Sequence, residues 1–403
     1  MKEVRLENEI KIFIWQPSIE HLQYFTWLAL QLLISSPIKF IVGTLENKIR
    51  KNQKWKLVDL QELHPVLLPR EKLWKTGLKL INENTDAIHI FWGFRGANGY
   101  NFFPLIVYAL RKGAKVAVID EAYSTSPVGY YHDENIFYSY VKVWVRPWLR
   151  YSMARVLNAV SGVYKPCVIA HSIIAKKQLE AGFSPETIFP FGCFVPRQEV
   201  VLTDESKPDS LRLIFVGALI CRKGLDILVD AIRDLCKHGY RVQLDVYGSG
   251  NTEKIQFAGL PIYYKNTLPF DQIQAVIAEH DVLVLPSRHD GWGVVVNEAL
   301  LQGVPVIASN QVGAKCLLES SGAGLVFESE NANDLAEKIK VLIKNPLLLK
   351  ELQVNAIKAG EEILPEKGAR YFLDVLLHYF YGIGSRPSAL WSNNLFENID
   401  KEY

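Results

Sequence analysis

The chain is poor in cysteine: five among 403 residues, at 167, 193, 221, 236 and 316, with no C-x-x-C pair. That spread excludes a disulfide scaffold and a cysteine-built zinc site, and it fits a reducing compartment. Long apolar runs are also missing. The best window, 25–43, is broken by Gln31, Ser35, Ser36, Pro37 and Lys39, so no membrane-spanning helix is expected. The opening MKEVRLENEI sets three acids before any apolar run and does not read as a secretory signal. A cytoplasmic protein is expected. The net charge is only +2, too small an excess for a nucleic-acid binder. No D-x-D, no H-E-x-x-H and no Asp/His cluster offers metal-ligand spacing, so no metal and no cofactor are expected.

What is present is ordinary globular material, 49% hydrophobic and 22% charged. Its length suits two domains. The charge is uneven: residues 1–200 carry a balance of +8 and the remainder −6. Short β-branched runs alternate with helical patterns. Strands are predicted at Ile10–Trp15, Lys39–Val42, Ala87–Phe91, Lys115–Ile119 and Cys167–Ala170, then at Leu211–Val216, Arg241–Tyr247, Ile262–Tyr264, Asp281–Leu285, Val306–Ala308 and Gly324–Phe327. Near-continuous apolar strands separated by helices imply an α/β fold with parallel sheets covered on both faces. A polar stretch with Pro196 and Pro208 reads as a linker over 196–210.

Ligands of open parallel sheets sit beyond the carboxyl ends of the strands. The residues after three strands of the second half converge there: Gly217 to Gly224 with Arg222 and Lys223, then Gly248-Ser249-Gly250, then Pro286 to Gly293 with Asp290. Arg222 and Lys223 precede a helix near Gly224, where the helix dipole favours an anion such as a diphosphate. A solvated pair beside a turn glycine is the alternative. Asp290 and Glu298 stand eight positions apart, across a glycine loop and the start of a helix that is apolar nearly all round. A Glu on such a helix needs a partner or a ligand, and carboxylates accept well from sugar hydroxyls.

The stretch VLPSRHDGWGVVVNEALLQGVPVIAS resembles the donor-site signature of the retaining "glycosyl transferases group 1" family, whose E-x7-E reads here as Asp290-x7-Glu298. FVGALICRKGLDILVDAI and LDVYGSG resemble that family's phosphate-binding segment and next glycine loop. The likeness covers about 167–345 well and 10–166 only in layout. It implies a GT-B fold, two Rossmann-like parallel-sheet domains facing a cleft. The expected division is an acceptor-side domain over 1–195 joined by a crossing helix at about 366–403, and a donor domain over 211–365. It further implies metal-independent, retaining transfer from a nucleotide-diphosphate sugar to a glycan or lipid-linked acceptor in cell-surface polysaccharide synthesis. A nucleotide-sugar epimerase and a non-catalytic carbohydrate-binding relative are the alternatives.

Carried over, Arg222 and Lys223 take the diphosphate, Asp290 the transferred sugar and Glu298 the ribose. Gly217, Gly248, Gly291, Trp292, Gly293, Val295 and Val296 line sugar and phosphate, while Lys265, Thr267 and Leu268 face the base. The family's first glycine-rich loop is absent, and its histidine is replaced by Asp120, which with Glu121 is a candidate for the reacting centre. His89 reads as a core histidine. Finally, no acid occurs between Glu134 and Glu180, while seven cations do. Lys142, Arg146 and Arg150 recur every four residues among Tyr138, Tyr140, Trp144, Trp148 and Tyr151, and Pro147 is expected to kink or restart a helix there. The stretch 138–166 is a candidate anionic-membrane surface at the inner face of the cell membrane, with an ordinary inter-strand helix as the alternative.

Overall fold

The computed structural model describes residues 10–44, 60–94, 100–127, 136–200, 210–250 and 257–392. Two parallel sheets organise them. The first contains β1 (Ile12–Gln16), β2 (Lys39–Val42), β3 (Val66–Leu67), β4 (Ile88–Trp92), β5 (Lys115–Glu121), β6 (Cys167–His171) and β7 (Ile188–Phe191), in the order β3-β2-β1-β4-β5-β6-β7. The second contains β8 (Leu211–Val216), β9 (Val242–Tyr247), β10 (Ile262–Tyr264), β11 (Val282–Leu285), β12 (Val306–Ser309) and β13 (Gly324–Phe327), in the order β10-β9-β8-β11-β12-β13. The central strands β1, β6 and β11 are buried along their whole length, as the unbroken apolar runs require. Strand order reverses between β1 and β4 and again between β8 and β11. Those are the positions where a doubly wound sheet opens a crevice.

Two strands lie outside the sequence-based expectation. Val66–Leu67 is a two-residue edge strand, too short for a period to register, and Phe-Pro-Phe within Ile188–Phe191 disguises the other. Helices at Leu73–Glu83, Lys315–Ser321 and Pro346–Glu362 also go beyond the sequence reading. The helix Ile136–Val160 runs as one element through Pro147, where the sequence predicted a kink or a restart; the restart does not occur. Among the described residues, no helix is long and apolar enough to cross a membrane.

The expected linker is partly a fastened strap. Residues 201–209 lie outside the described residues, but the preceding segment is tied down. Gln274 donates Nε2 to the Pro196 carbonyl at 2.8 Å and accepts from the Gln198 amide, while Arg197 Nε donates to the Leu301 carbonyl. Gln274 thus satisfies one backbone acceptor and one backbone donor of this half-exposed segment, and Arg197 ties it to the helix Val295–Leu301.

The helix Pro365–Tyr381 returns to the first sheet's side. Phe372 is fully buried, edge-on to Trp27 of the helix His21–Leu33 at 5.3 Å and tilted on Phe191 at 5.2 Å. Beyond it, Arg386 donates to the carbonyls of Pro185, Glu186 and Ile188. Residues 365–392 are thus held by the first sheet's strands and helices, and residues 393–403 of the expected crossing segment lie outside the described residues. We expect Phe372→Ala to lower unfolding stability by about 3–5 kcal/mol, the cost of emptying an aromatic core site. Urea unfolding checks this; a change below about 1 kcal/mol, the size of an ordinary surface effect, would count against Phe372 as the anchor.

Candidate active site

A cleft of about 760 Å³ lies between the carboxyl ends of the two sheets. From the second sheet it is lined by Gly217, Arg222, Lys223, Gly248, Thr267, Leu268, Asp290, Gly291, Trp292, Gly293, Val295 and Glu298. Two glycines let the loops after the strands approach this closely. A Cβ at Gly224 would lie 2.0 Å from the Pro286 carbonyl oxygen, and one at Gly248 would lie 1.7 Å from that of Gly217. Gly224 also takes a φ of +69°, which side-chain-bearing residues rarely adopt.

The loop after β8 is bound to the loop after β11. Lys223 Nζ meets Asp290 Oδ2 at 2.5 Å, and Arg222 donates to the His289 carbonyl at 2.8 Å. Arg288 reaches the other way, forking onto Asp226 and bonding Glu330 and the Cys221 carbonyl. Asp290 is further zipped to a neighbouring loop, its amide on the Gln311 carbonyl and its carbonyl on the Gly313 amide. Burial pulls the Asp290 pKa up, but Lys223 and Arg222 outweigh it and hold the carboxyl below the ordinary aspartate value. Asp290 is therefore an anion at neutral pH, a pure acceptor.

Glu298 differs. It lies on Val295–Leu301, a helix buried at every position, and lines the cleft with 2% of its surface exposed. Burial pushes its pKa up to about 8. A carboxyl so placed is held ready for donors that a ligand brings, since ligand hydroxyls would restore the bonds lost with water.

The first sheet faces this constellation with Asp120, Glu121 and His171. Glu121 and His171 pair in register on β5 and β6. The two carboxylates part company here. Asp120 is buried and ion-paired with Arg150 at 2.7 Å, its pKa pushed up to about 6 by burial against that pull. Arg150 also donates to the Glu121 carbonyl and covers the Tyr123 ring. Asp120 thus holds an arginine. The Glu121 carboxylate is the one aimed across the cleft, 3.8 Å from where a Cβ of Gly291 would stand.

His171 was absent from the sequence reading, although it ends β6 as the other candidates end their strands. It packs among Trp92, Phe191 and Trp292, with Nε2 3.4 Å from Cys193 Sγ and with burial lowering its pKa. His289 is the second omission; it lines the cleft, and its pKa is lowered to about 4, chiefly by burial. His89 is structural: Trp15 donates to Nδ1 and Nε2 lies 2.9 Å from the Asn84 carbonyl, which together set the tautomer.

Residues 203–362 match the family described as glycosyl transferases group 1. This stretch of the chain is similar to that family. Over 164 residues the chain is 34% identical to an uncharacterized glycosyltransferase of Methanocaldococcus jannaschii, covering 38% of this chain and 44% of that one. It is 27% identical over 171 residues to the capsular polysaccharide biosynthesis glycosyltransferase CapM of Staphylococcus aureus, 38% and 42% of the two chains. The chain thus spans less than half the length of these relatives. Two solved structures share the whole fold. Anabaena HepE, solved with UDP and glucose, matches with a TM-score of 0.62 at 13% identity over 91% of this chain and 99% of that one. The lipopolysaccharide outer core galactosyltransferase WaaB matches with a TM-score of 0.64 at 15% identity, again over 91% and 99%. The two Rossmann-like domains are a GT-B fold.

Within the glycosyl transferases group 1 stretch, two expected lining residues stand elsewhere. Lys265 turns away to Asp245, 3.6 Å distant, and to the Tyr263 ring. Val296 is fully buried in the core, one helical step from Val295, so only its neighbour reaches the cleft. The remaining candidates share the cleft.

Glu298 yields a signed prediction. Its folded pKa lies above the unfolded value of 4.5, so its contribution to stability is fully present below that value and lost as pH rises to about 8. Glu298→Gln should melt like the wild type near pH 4.5 and progressively higher than it toward pH 9. Differential scanning calorimetry across that range checks this; parallel curves would exclude a buried, ionising Glu298.

Proposed function

We propose that the protein is a retaining, metal-independent glycosyltransferase acting in cell-surface polysaccharide synthesis. It takes a nucleotide-diphosphate sugar as donor and a glycan or lipid-linked saccharide as acceptor, on the cytoplasmic side. The observation that carries this reading is the convergence on one cleft of a cation pair, a charged aspartate and a desolvated glutamate from the second sheet, opposite Glu121 of the first. Names among the relatives agree: HepE was solved with UDP-glucose, TarM with UDP and alpha-GlcNAc-glycerol, and CapM is a capsular polysaccharide enzyme.

In this reading Glu298 accepts from the ribose hydroxyls, and Thr267 and Leu268 lie against the base. The diphosphate sits over Gly217, Arg222 and Lys223, where it competes with Asp290 for the lysine. Cations that neutralise the leaving diphosphate lower the barrier to breaking the anomeric carbon–oxygen bond. Asp290, released by the phosphate, accepts from the transferred sugar's hydroxyls. The acceptor oxygen then bonds the anomeric carbon from the face the phosphate leaves, and its proton passes to the departing phosphate oxygen. Configuration is kept without a covalent enzyme intermediate.

Lys223→Ala and Arg222→Ala should each cost about 2–4 kcal/mol of transition-state stabilisation, and the pair less than the sum, because both act on one anion. Thermal shift against a panel of nucleoside diphosphates identifies the nucleotide. Transfer or donor hydrolysis with the matching sugar gives the rate. Wild-type kinetics in both variants would refute the diphosphate site. Interconversion of donor epimers without an acceptor would make the protein an epimerase, and no turnover with any donor that binds would make it a binding protein.

A further inference from the structure

The helix Ile136–Val160 presents two unlike sides. From 137 to 151, every exposed residue is aromatic, valine or proline. Trp144 is 80% exposed, Trp148 70% and Phe137 68%, with Val141, Val145 and Tyr151 beside them. The cations that recur every four residues lie on the other side. Lys142, Arg146 and Arg150 are only partly exposed; Arg146 and Arg150 line the cleft, and Arg150 is committed to Asp120. The cation stripe that the sequence offered to a membrane therefore faces inward, and the rings face out.

We propose that this aromatic side is a monotopic membrane-binding surface whose occupant is the interfacial layer of an anionic bilayer. Such a surface is too apolar to be left in water without purpose. Its shape decides between lipid and a second helix. At about 100° per residue the exposed rings and valines cover about half the helix circumference, wider than the narrow seam of a helix pair and suited to a plane. Its composition points the same way, because Trp and Tyr favour the headgroup boundary, where one edge is apolar and the other wet. Its charge agrees as well: no Asp or Glu occurs from 135 to 179, and exposed Arg155 continues the aromatic side just past Tyr151. A single helix, about 10–12 Å across, then separates bilayer from cleft. On the transferase reading, a lipid-anchored acceptor enters the cleft around that helix, past Arg146.

The test uses the full chain with phosphatidylcholine vesicles, with and without phosphatidylglycerol. We expect flotation with both vesicles, greater with the anionic ones at low salt because of Arg155, and persisting at high salt because ring insertion rather than surface charge dominates. Vesicles carrying brominated acyl chains should quench the tryptophan emission. Trp144→Ser/Trp148→Ser should reduce the bound fraction about tenfold or more while nucleoside diphosphate affinity, measured by calorimetry, stays unchanged. Flotation abolished by salt, no quenching, or a double variant that floats like the wild type would overturn the surface. So would a dimer in sedimentation velocity that the double variant dissolves, since the occupant would then be a second copy. Flotation, quenching and sedimentation use no nucleotide and no sugar donor, so failure here and failure of the transferase reading are separable.

Discussion

The buried ion pair between Lys223 and Asp290 is the constraint on which the second domain's half of the cleft depends. It joins the loop after β8 to the loop after β11, two segments 67 residues apart in sequence. Both charges are largely withdrawn from water, and such a pair is favourable only when each partner is otherwise well supported. The support is visible. Arg222 and Arg288 tie the same two loops through backbone carbonyls and Asp226, and the Asp290 backbone is zipped to the 311–313 segment. Removing one charge would strand the other, so the pair fixes where the glycine loop ends, where the helix Val295–Leu301 begins, and hence where Glu298 points.

The same loop couples the two domains. Trp292 follows Asp290 by two residues, and its indole donates to Asn297 at 2.7 Å. Asn297 in turn donates to the Cys193 carbonyl at the start of the strap between the sheets. The Trp292 ring lies between His171 of β6 and Trp391 of the chain end, and it fits because Gly192 has no side chain: a Cβ there would sit 2.4 Å from the ring. A shift of the donor loop must therefore be felt by the first domain and by the returning chain end. Packed interiors pass on such displacements because they have little free space.

The two acids of the second domain illustrate how one cleft keeps two carboxyl groups in different states. Asp290 has cations within contact and stays charged. Glu298 has burial alone and rises to about 8. A separation of this kind suits one group to hold a fixed charge and the other to wait for hydrogen-bond donors.

Much of the second domain was legible in the sequence. Its strands are apolar runs, and the rule that ligands gather at their carboxyl ends selects Gly217, Arg222, Lys223, Gly248 and Asp290, while a glutamate on a helix apolar nearly all round singles out Glu298. The Lys265 side chain lies apart from the cleft because Asp245 and the Tyr263 ring draw it away, and the Val296 side chain is buried one helical step from Val295; only the packed neighbours set those directions. The first domain was harder to read. Asp120 and Glu121 are adjacent and chemically alike; Arg150, thirty residues away, claims one and leaves the other to the cleft. His171 looked like the end of an apolar strand until Cys193, Trp92 and Trp292 closed around it. The helix Ile136–Val160 shows the same division. Its composition, rings and cations without acids, belongs to the sequence alone. Which of the two faces water was decided by the tertiary structure, because burying Arg150 against Asp120 turns the rings outward.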